Sequence, residues 1–365
     1  MSQEAAADLP DWSQVRLHIV TGKGGAGKTT VAAALALTLA SLGRRVLLCE
    51  VEGRQGISQA LDVPPLGPKE ERVVRVSGGG EVWGLSVEAK AALIEYLSIF
   101  YHLGSAGGML ERLGAIDFAT TIAPGVRDVL SIGKVYEAAS REAGERSYDA
   151  VVLDAPPTGR VLPFLNVNEE VADLAKVGPI RNQAASITRV LKAPSTKVHV
   201  VTLLEEMPVQ ETVDAVADLR SHGFGVGAIV VNQARSAFFT PEQSAALGAE
   251  PDVDSADKDG TDDGVDSDGT GSDDSDGTGS LDGAAVARAL TRAGLTGRAA
   301  EPATGAGLLT QAREHVERIA VEDTQLAALD DLATPVHVLP HVLDPTGASS
   351  VRELAQSLAD QGVWG

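Results

Sequence analysis

Thiols, aromatics and a basic surface are what this chain has least of. One cysteine, Cys49, stands among 365 residues. An internal disulfide is therefore excluded, and so is any cysteine cluster built by a single chain. Phe, Trp and Tyr together make up 4% of the chain, and only three methionines, Met1, Met109 and Met207, are present. A methionine-lined promiscuous groove has too little material. No uninterrupted apolar stretch of ~18 residues occurs, so no span long enough to cross a membrane is expected. The start, Met1 to Asp8, has neither a basic run nor an apolar one, so no secretion signal is expected and the cytoplasm is the simplest location.

Positive charge is short as well. Lys and Arg number 30 against 51 Asp and Glu, a formal net charge of −21. Residues 249–283 hold thirteen of the acids and one lysine, so that stretch carries −12 and the remainder −9. Neither part offers a basic patch for nucleic acid. The acidic stretch repeats Asp, Gly, Ser and Thr and has almost no apolar residue. Too little surface can be buried to offset its ordering entropy, so a disordered insert is expected. It briefly echoes a calcium loop, but the glutamate at the twelfth position and flanking helices are missing. Short helices are expected before it, over 241–247, and after it, over 284–293, which makes it a surface insertion.

What the chain does have is a glycine-rich loop, Thr21-Gly22-Lys23-Gly24-Gly25-Ala26-Gly27-Lys28-Thr29-Thr30. From Gly22 it satisfies G-x-x-x-x-G-K-[ST]. An apolar run over 15–20 precedes it and reads as a buried strand; an Ala/Leu-rich run over 31–42 follows and reads as a helix. Glycines let the backbone wrap a phosphate with successive N–H groups turned inward. The helix start adds its dipole. Lys28 is expected on the β- and γ-phosphates of ATP, and the Thr29 hydroxyl on Mg²⁺. A chance glycine-rich turn is the plain alternative, and the strand and helix on either side argue against it.

Apolar strands are expected over 45–50, 148–153, 197–204, 227–231 and 335–339, with helices over 208–222, 308–332 and 349–360. Such alternation predicts an α/β fold with a mostly parallel sheet covered on both faces. Ligands then bind beyond the carboxyl ends of the strands. Asp154 closes one strand and is placed to hold Mg²⁺, although a strand-end Asp also serves as a helix cap. The turn after it, Ala155 to Arg160, has two prolines and a glycine and is stiff enough to sense the γ-phosphate. Glu50 and Glu52 follow the second strand, and one of them is placed to activate a water; a pair of solvated carboxylates is the alternative. Asn232 ends the strand Val230-Val231-Asn232-Gln233 and can offer adenine both a donor and an acceptor, though Asn is also a turn residue.

Together these motifs resemble the deviant Walker ATPases, the P-loop group that contains MinD, ParA and NifH, whose loop reads K-G-G-x-G-K-T. Asp154-Ala155-Pro156-Pro157-Thr158-Gly159-Arg160 is similar to the D-T-A-P-T-G-H switch of one branch. That branch holds the arsenite-pump ATPase ArsA and the eukaryotic ATPase that targets tail-anchored membrane proteins. Val230 to Gln233 resembles its V-I-N-Q. The order and spacing fit over most of 15–365 apart from the acidic insert, and actinobacterial members with an E-V-E-G-R-Q-G switch look most similar.

The resemblance implies a mainly helical subdomain over about 85–195 that carries client, set in one ATPase domain behind a flexible N-terminus, 1–14. It implies a homodimer or a pair with a paralogous ATPase subunit, in which Lys23 reaches the partner's nucleotide. Glu52 stands where the family has its water-activating Asp, and Pro340 stands where the chain closes over adenine beside Asn232. The client implied is a hydrophobic or membrane-associated protein. Glu for Asp at 52, Gly53-Arg54 for Pro-Ala, and Arg160 for His are departures that leave slow hydrolysis, or a binding subunit without it, as the alternative. One cysteine argues against arsenite, a soft ligand-seeker. The missing C-x-x-C argues against the zinc that clamps the targeting ATPase. A MinD-like membrane helix is not supported by the tail 351–365, whose only cation is Arg352. ParA-like DNA binding conflicts with the charge, and NifH-like redox chemistry lacks its cluster cysteines.

Overall fold

The computed structural model describes residues 12–51, 53–88, 91–92, 125–141, 144, 147–174, 179–248, 281–342 and 347–362. Glu52, residues 93–124 within the span expected to be a helical subdomain, and the insert up to residue 280 lie outside them. The chain divides into two compact units, Met1–Arg235 with Thr324–Gly365, and Ser236–Asp323.

In the first unit, β1 (Leu17–Gly22), β2 (Arg45–Glu50), β3 (Glu71–Arg75), β4 (Glu81–Ser86), β5 (Ala150–Asp154), β6 (Thr196–Thr202), β7 (Val226–Ala234) and β8 (Val336–Pro340) form one sheet. Its order is β3-β4-β2-β5-β1-β6-β7-β8. All neighbours pair in parallel except β3 with β4. The expected mostly parallel α/β architecture is thus realised. β3 and β4 were not among the expected strands. β3 is an edge strand with largely exposed residues, so it lacks the apolar run that marks its neighbours.

Side chains alternate across the sheet with period two. Val46, Leu48, Val152 and Val201 join one core, under α1 (Lys28–Ser41), α2 (Gly56–Leu61) and α10 (Ala348–Asp360). Leu47, Cys49, Val151 and Val200 join the other. That second core is closed by α3 (Val126–Ala139), α4 (Thr158–Leu174), α5 (Pro179–Leu191) and α6 (Glu206–Ser221), which contribute Ile132, Phe164, Ile187 and Val216. Each such side chain stabilises by roughly 1.5–3 kcal/mol on burial. Three of these helices fall within the 85–195 span where a helical subdomain is expected; α3 meets β5, α4 meets β1, and α5 packs on α4 and α3.

Trp12, within the span expected to be a flexible N-terminus, is 2% exposed. It stacks on His199 of β6, 4.4 Å between ring centroids, and on His18 of β1 at 5.7 Å. His18 Nδ1 and His199 Nε2 are 3.1 Å apart. Burial, then the nearby Arg44, lowers the His18 pKa to about 3. Burial, then His18, holds His199 well below its usual range, and burial lowers His337.

The second unit contains α7 (Pro241–Gly248), α8 (Gly283–Arg292) and α9 (Pro302–Asp330) up to Asp323. Asp282 caps α8 by accepting from the Ala285 N–H at 2.6 Å. Within this unit Phe238 stacks on His315 at 4.9 Å.

Candidate nucleotide site

β1 runs straight into the glycine loop, and α1 begins at Lys28. Two glycines in this turn are dictated by their surroundings. A Cβ on Gly22 would lie 2.1 Å from the Val201 carbonyl oxygen of β6. Gly27 has φ +86, and a Cβ there would lie 2.2 Å from the Asn232 amide nitrogen. Only a residue without a side chain meets both demands. A Cβ on Gly24 or Gly25 would meet no protein atom within 4 Å, so that stretch of the loop has open space beside it.

The Lys28 ammonium lies on the loop, donating to the Lys23 carbonyl at 3.3 Å. Thr29 Oγ1 donates to Asp154 Oδ2 at 2.6 Å, bringing together the two side chains expected to share a cation. Thr30 is the third residue of α1. The turn after Asp154 is fastened to the same place: Thr21 Oγ1 donates to the Pro156 carbonyl at 2.7 Å, and the Ala155 N–H donates to the Val20 carbonyl at 2.9 Å. Pro156 and Ala155 are thus each tied by one hydrogen bond to the residues that lead into the loop.

Asn232 is buried at the end of β7, and its amide nitrogen donates to the Ala26 carbonyl at 2.9 Å. The side chain holds the phosphate loop whatever else it does. Pro340 ends β8 opposite Ala234. Glu50 is 4% exposed and accepts hydrogen bonds from the Gln55 and Ile57 N–H groups and the Ser86 hydroxyl. This carboxylate, the last residue of β2, is committed to the protein.

Lys23 makes a contact that sequence reasoning missed. Its Nζ lies 2.9 Å from Glu211 Oε1 on α6, with both side chains about one-third exposed. No local pattern could show it, because the partner comes from a helix far along the chain. Arg160 lies at the N-terminal end of α4, 3.8 Å from Asp128 of α3. Cys49 is buried in β2, and burial, then Glu70, pushes its thiol pKa up, away from the reactive thiolate.

The geometry is that of a phosphate loop between a strand and a helix, with a hydroxyl–carboxylate pair at its helical end. Residues 15–193 match the family described as Anion-transporting ATPase. ATPase BagA of Mycobacterium tuberculosis is 44% identical over 355 residues, covering 96% of this chain and 94% of that protein. The chain belongs to the anion-transporting ATPase family.

ATPase GET3 of Kluyveromyces lactis is 28% identical over 255 residues, 60% of this chain and 72% of that one. ATPase GET3 of Chaetomium globosum is 26% identical over 265 residues, 61% and 74%. As a member of this family the chain is an ATPase, and the nucleotide is its substrate. Among the described residues no helix is long and apolar enough to cross a membrane.

Proposed function

We propose that this ATPase is a nucleotide-driven switch in which two copies, or one copy and a paralogous subunit, close over ATP. The observation that carries the reading is the position of Lys23. Its ammonium lies on Glu211 of its own chain, while Lys28 alone lies back on the loop. On this view the second loop lysine, held on α6 and not on its own loop, turns to the neighbour's nucleotide.

In this reading the loop N–H groups and Lys28 bind the β- and γ-phosphates. Thr29 and Asp154 supply the oxygen donors that Mg²⁺ takes, and the observed hydroxyl–carboxylate pair fits a cation that draws its other ligands from phosphate and water. When bound, Mg²⁺ neutralises charge gathering on the phosphates. Glu52 accepts a proton from the water whose oxygen attacks the γ-phosphorus, as the bond to the bridging oxygen breaks and its electron pair leaves with ADP. Lys23 adds positive charge from the partner. Asn232 and Pro340 flank adenine.

Loss of the γ-phosphate then relaxes the Ala155 to Arg160 turn. The Thr21–Pro156 bond and α4, which starts at Thr158, carry that change to the helices of the second core. Those helices present a hydrophobic or membrane-associated protein client in the cytoplasm. A slowly hydrolysing regulatory subunit is the second reading, favoured by glutamate at 52 and by Gly53-Arg54 after it. Single-turnover hydrolysis with Glu52→Gln as control separates the two. The switch reading expects a burst of phosphate that the variant lacks. Equal, near-zero rates in both proteins refute hydrolysis by Glu52. Co-purification with the ATP-trapped Glu52→Gln form, read by mass spectrometry, identifies the client.

A further inference from the structure

β2 ends in a carboxylate that is sealed from water. Glu50 is 4% exposed and pairs in register with Asp154 on the neighbouring strand. A buried carboxylate is costly unless its oxygens find donors. Those of Glu50 do. Oε1 accepts from the Gln55 N–H at 3.1 Å and from the Ser86 hydroxyl at 2.9 Å, and Oε2 accepts from the Ile57 N–H at 3.3 Å.

Gln55 is fastened in its turn. Its Oε1 accepts from the Leu66 N–H at 2.8 Å and its Nε2 donates to the Leu66 carbonyl at 2.9 Å. Gln55 sits at φ +55, where a residue with a side chain persists only if its surroundings hold it there. Just beyond, Gly56 packs against the metal-site threonine. A Cβ built on it would lie 3.0 Å from Thr29 Cγ2. The chain therefore leaves the sheet at Glu50, is tied back to that same side chain at Gln55 and Ile57, and touches Thr29 between those ties.

We propose that Glu50 is a positioning residue for ATP hydrolysis. By tying the Gln55 and Ile57 amides back to the end of β2, its carboxylate holds that stretch against Thr29 and so sets the frame in which water is activated. This rests on the reading that Glu52 acts on the attacking water. Glu50 does not touch the substrate; it acts through the Gln55 and Ile57 amides.

The test is Glu50→Gln in the full chain with Mg-ATP, beside Ser86→Ala and Glu52→Gln. The amide keeps the shape, but its NH₂ end cannot accept from a backbone N–H. Expected is a fall in kcat of about 10- to 100-fold, the scale set by a misplacement of ~1 Å. KM for ATP stays within about threefold, and amide exchange at Gln55 and Ile57 speeds up. Ser86→Ala, which spares both amide ties, shows the same split in smaller measure, and it carries the test if Glu50→Gln does not fold. Wild-type kcat in Glu50→Gln, with Glu52→Gln inactive, overturns the positioning role. So does a loss of activity in which kcat and ATP affinity fall together with the melting temperature. Should Glu52→Gln hydrolyse ATP at the wild-type rate, the reading of Glu52 is what fails.

Discussion

Gly27 and Asn232 form a pair whose coupling can be worked out before it is measured. Replacing Gly27 by alanine forces a side chain into the left-handed region at φ +86, which costs about 1–2 kcal/mol. The new methyl would also lie 2.2 Å from the Asn232 amide nitrogen, so that side chain must swing away and give up its bond to the Ala26 carbonyl. Leaving that buried acceptor unpaired adds about 1–3 kcal/mol. Gly27→Ala should thus destabilise by about 2–5 kcal/mol. Asn232→Ala alone removes the same bond and should cost about 1–3 kcal/mol. In the double variant the bond is lost once and the obstruction is gone, because both heavy atoms near the Gly27 position belong to Asn232. The double variant should therefore be no worse than Gly27→Ala, giving a coupling of about 1–3 kcal/mol. Urea unfolding of the four proteins reads the cycle, and titration with a fluorescent ATP analogue shows whether affinity follows it. Losses that add to within ~0.5 kcal/mol would refute the claim that Asn232 holds the loop at this point.

Acid provides a second test. His18 and His199 are buried and neutral, with folded pKa values pushed below the usual ~6.5. Their contribution is complete above that value and is lost as pH falls from it toward the folded pKa. Between pH 7.5 and 5.5 the two together should cost about 3 kcal/mol, seen as a falling urea midpoint; a flat midpoint in that window contradicts their burial as neutral rings. A third test concerns Glu211. An exposed ion pair is worth ~0.2–1 kcal/mol, and a symmetric pair of chains must break two. Glu211→Gln should then tighten ATP-dependent pairing by roughly 2- to 30-fold in sedimentation; weaker pairing would mean that Glu211 serves the closed form instead.

How much of this was legible in the sequence follows from where each kind of information resides. The phosphate loop was plain, because its demands fall on backbone conformation and on neighbours in the chain. Glycine at 22 and 27 answers both. Central strands such as β2 and β5 were plain because they are buried on both faces and read as apolar runs. β3 was not, since an edge strand of Glu71-Arg72-Val73-Val74-Arg75 shows three of its five residues to water. The Lys23–Glu211 contact was invisible, as it joins a loop to a helix that the fold alone brings near. Asn232 was read from its strand end as an adenine contact, while its hydrogen bond to Ala26 appears only once β7 is laid beside the loop. Glu50 was read only as one of two carboxylates at the end of the second strand; its burial and its three donors come from residues 55, 57 and 86 and appear only in the fold.

The central claim is that Lys23 serves a second chain's nucleotide. Light scattering of the purified protein with Mg-ATP, beside Lys23→Ala and Lys28→Ala, addresses it most directly. The account predicts that the unaltered chain pairs when ATP is added, that Lys23→Ala binds ATP yet stays single, and that Lys28→Ala loses the nucleotide altogether. Pairing of Lys23→Ala at the same ATP concentration as the unaltered chain would contradict it.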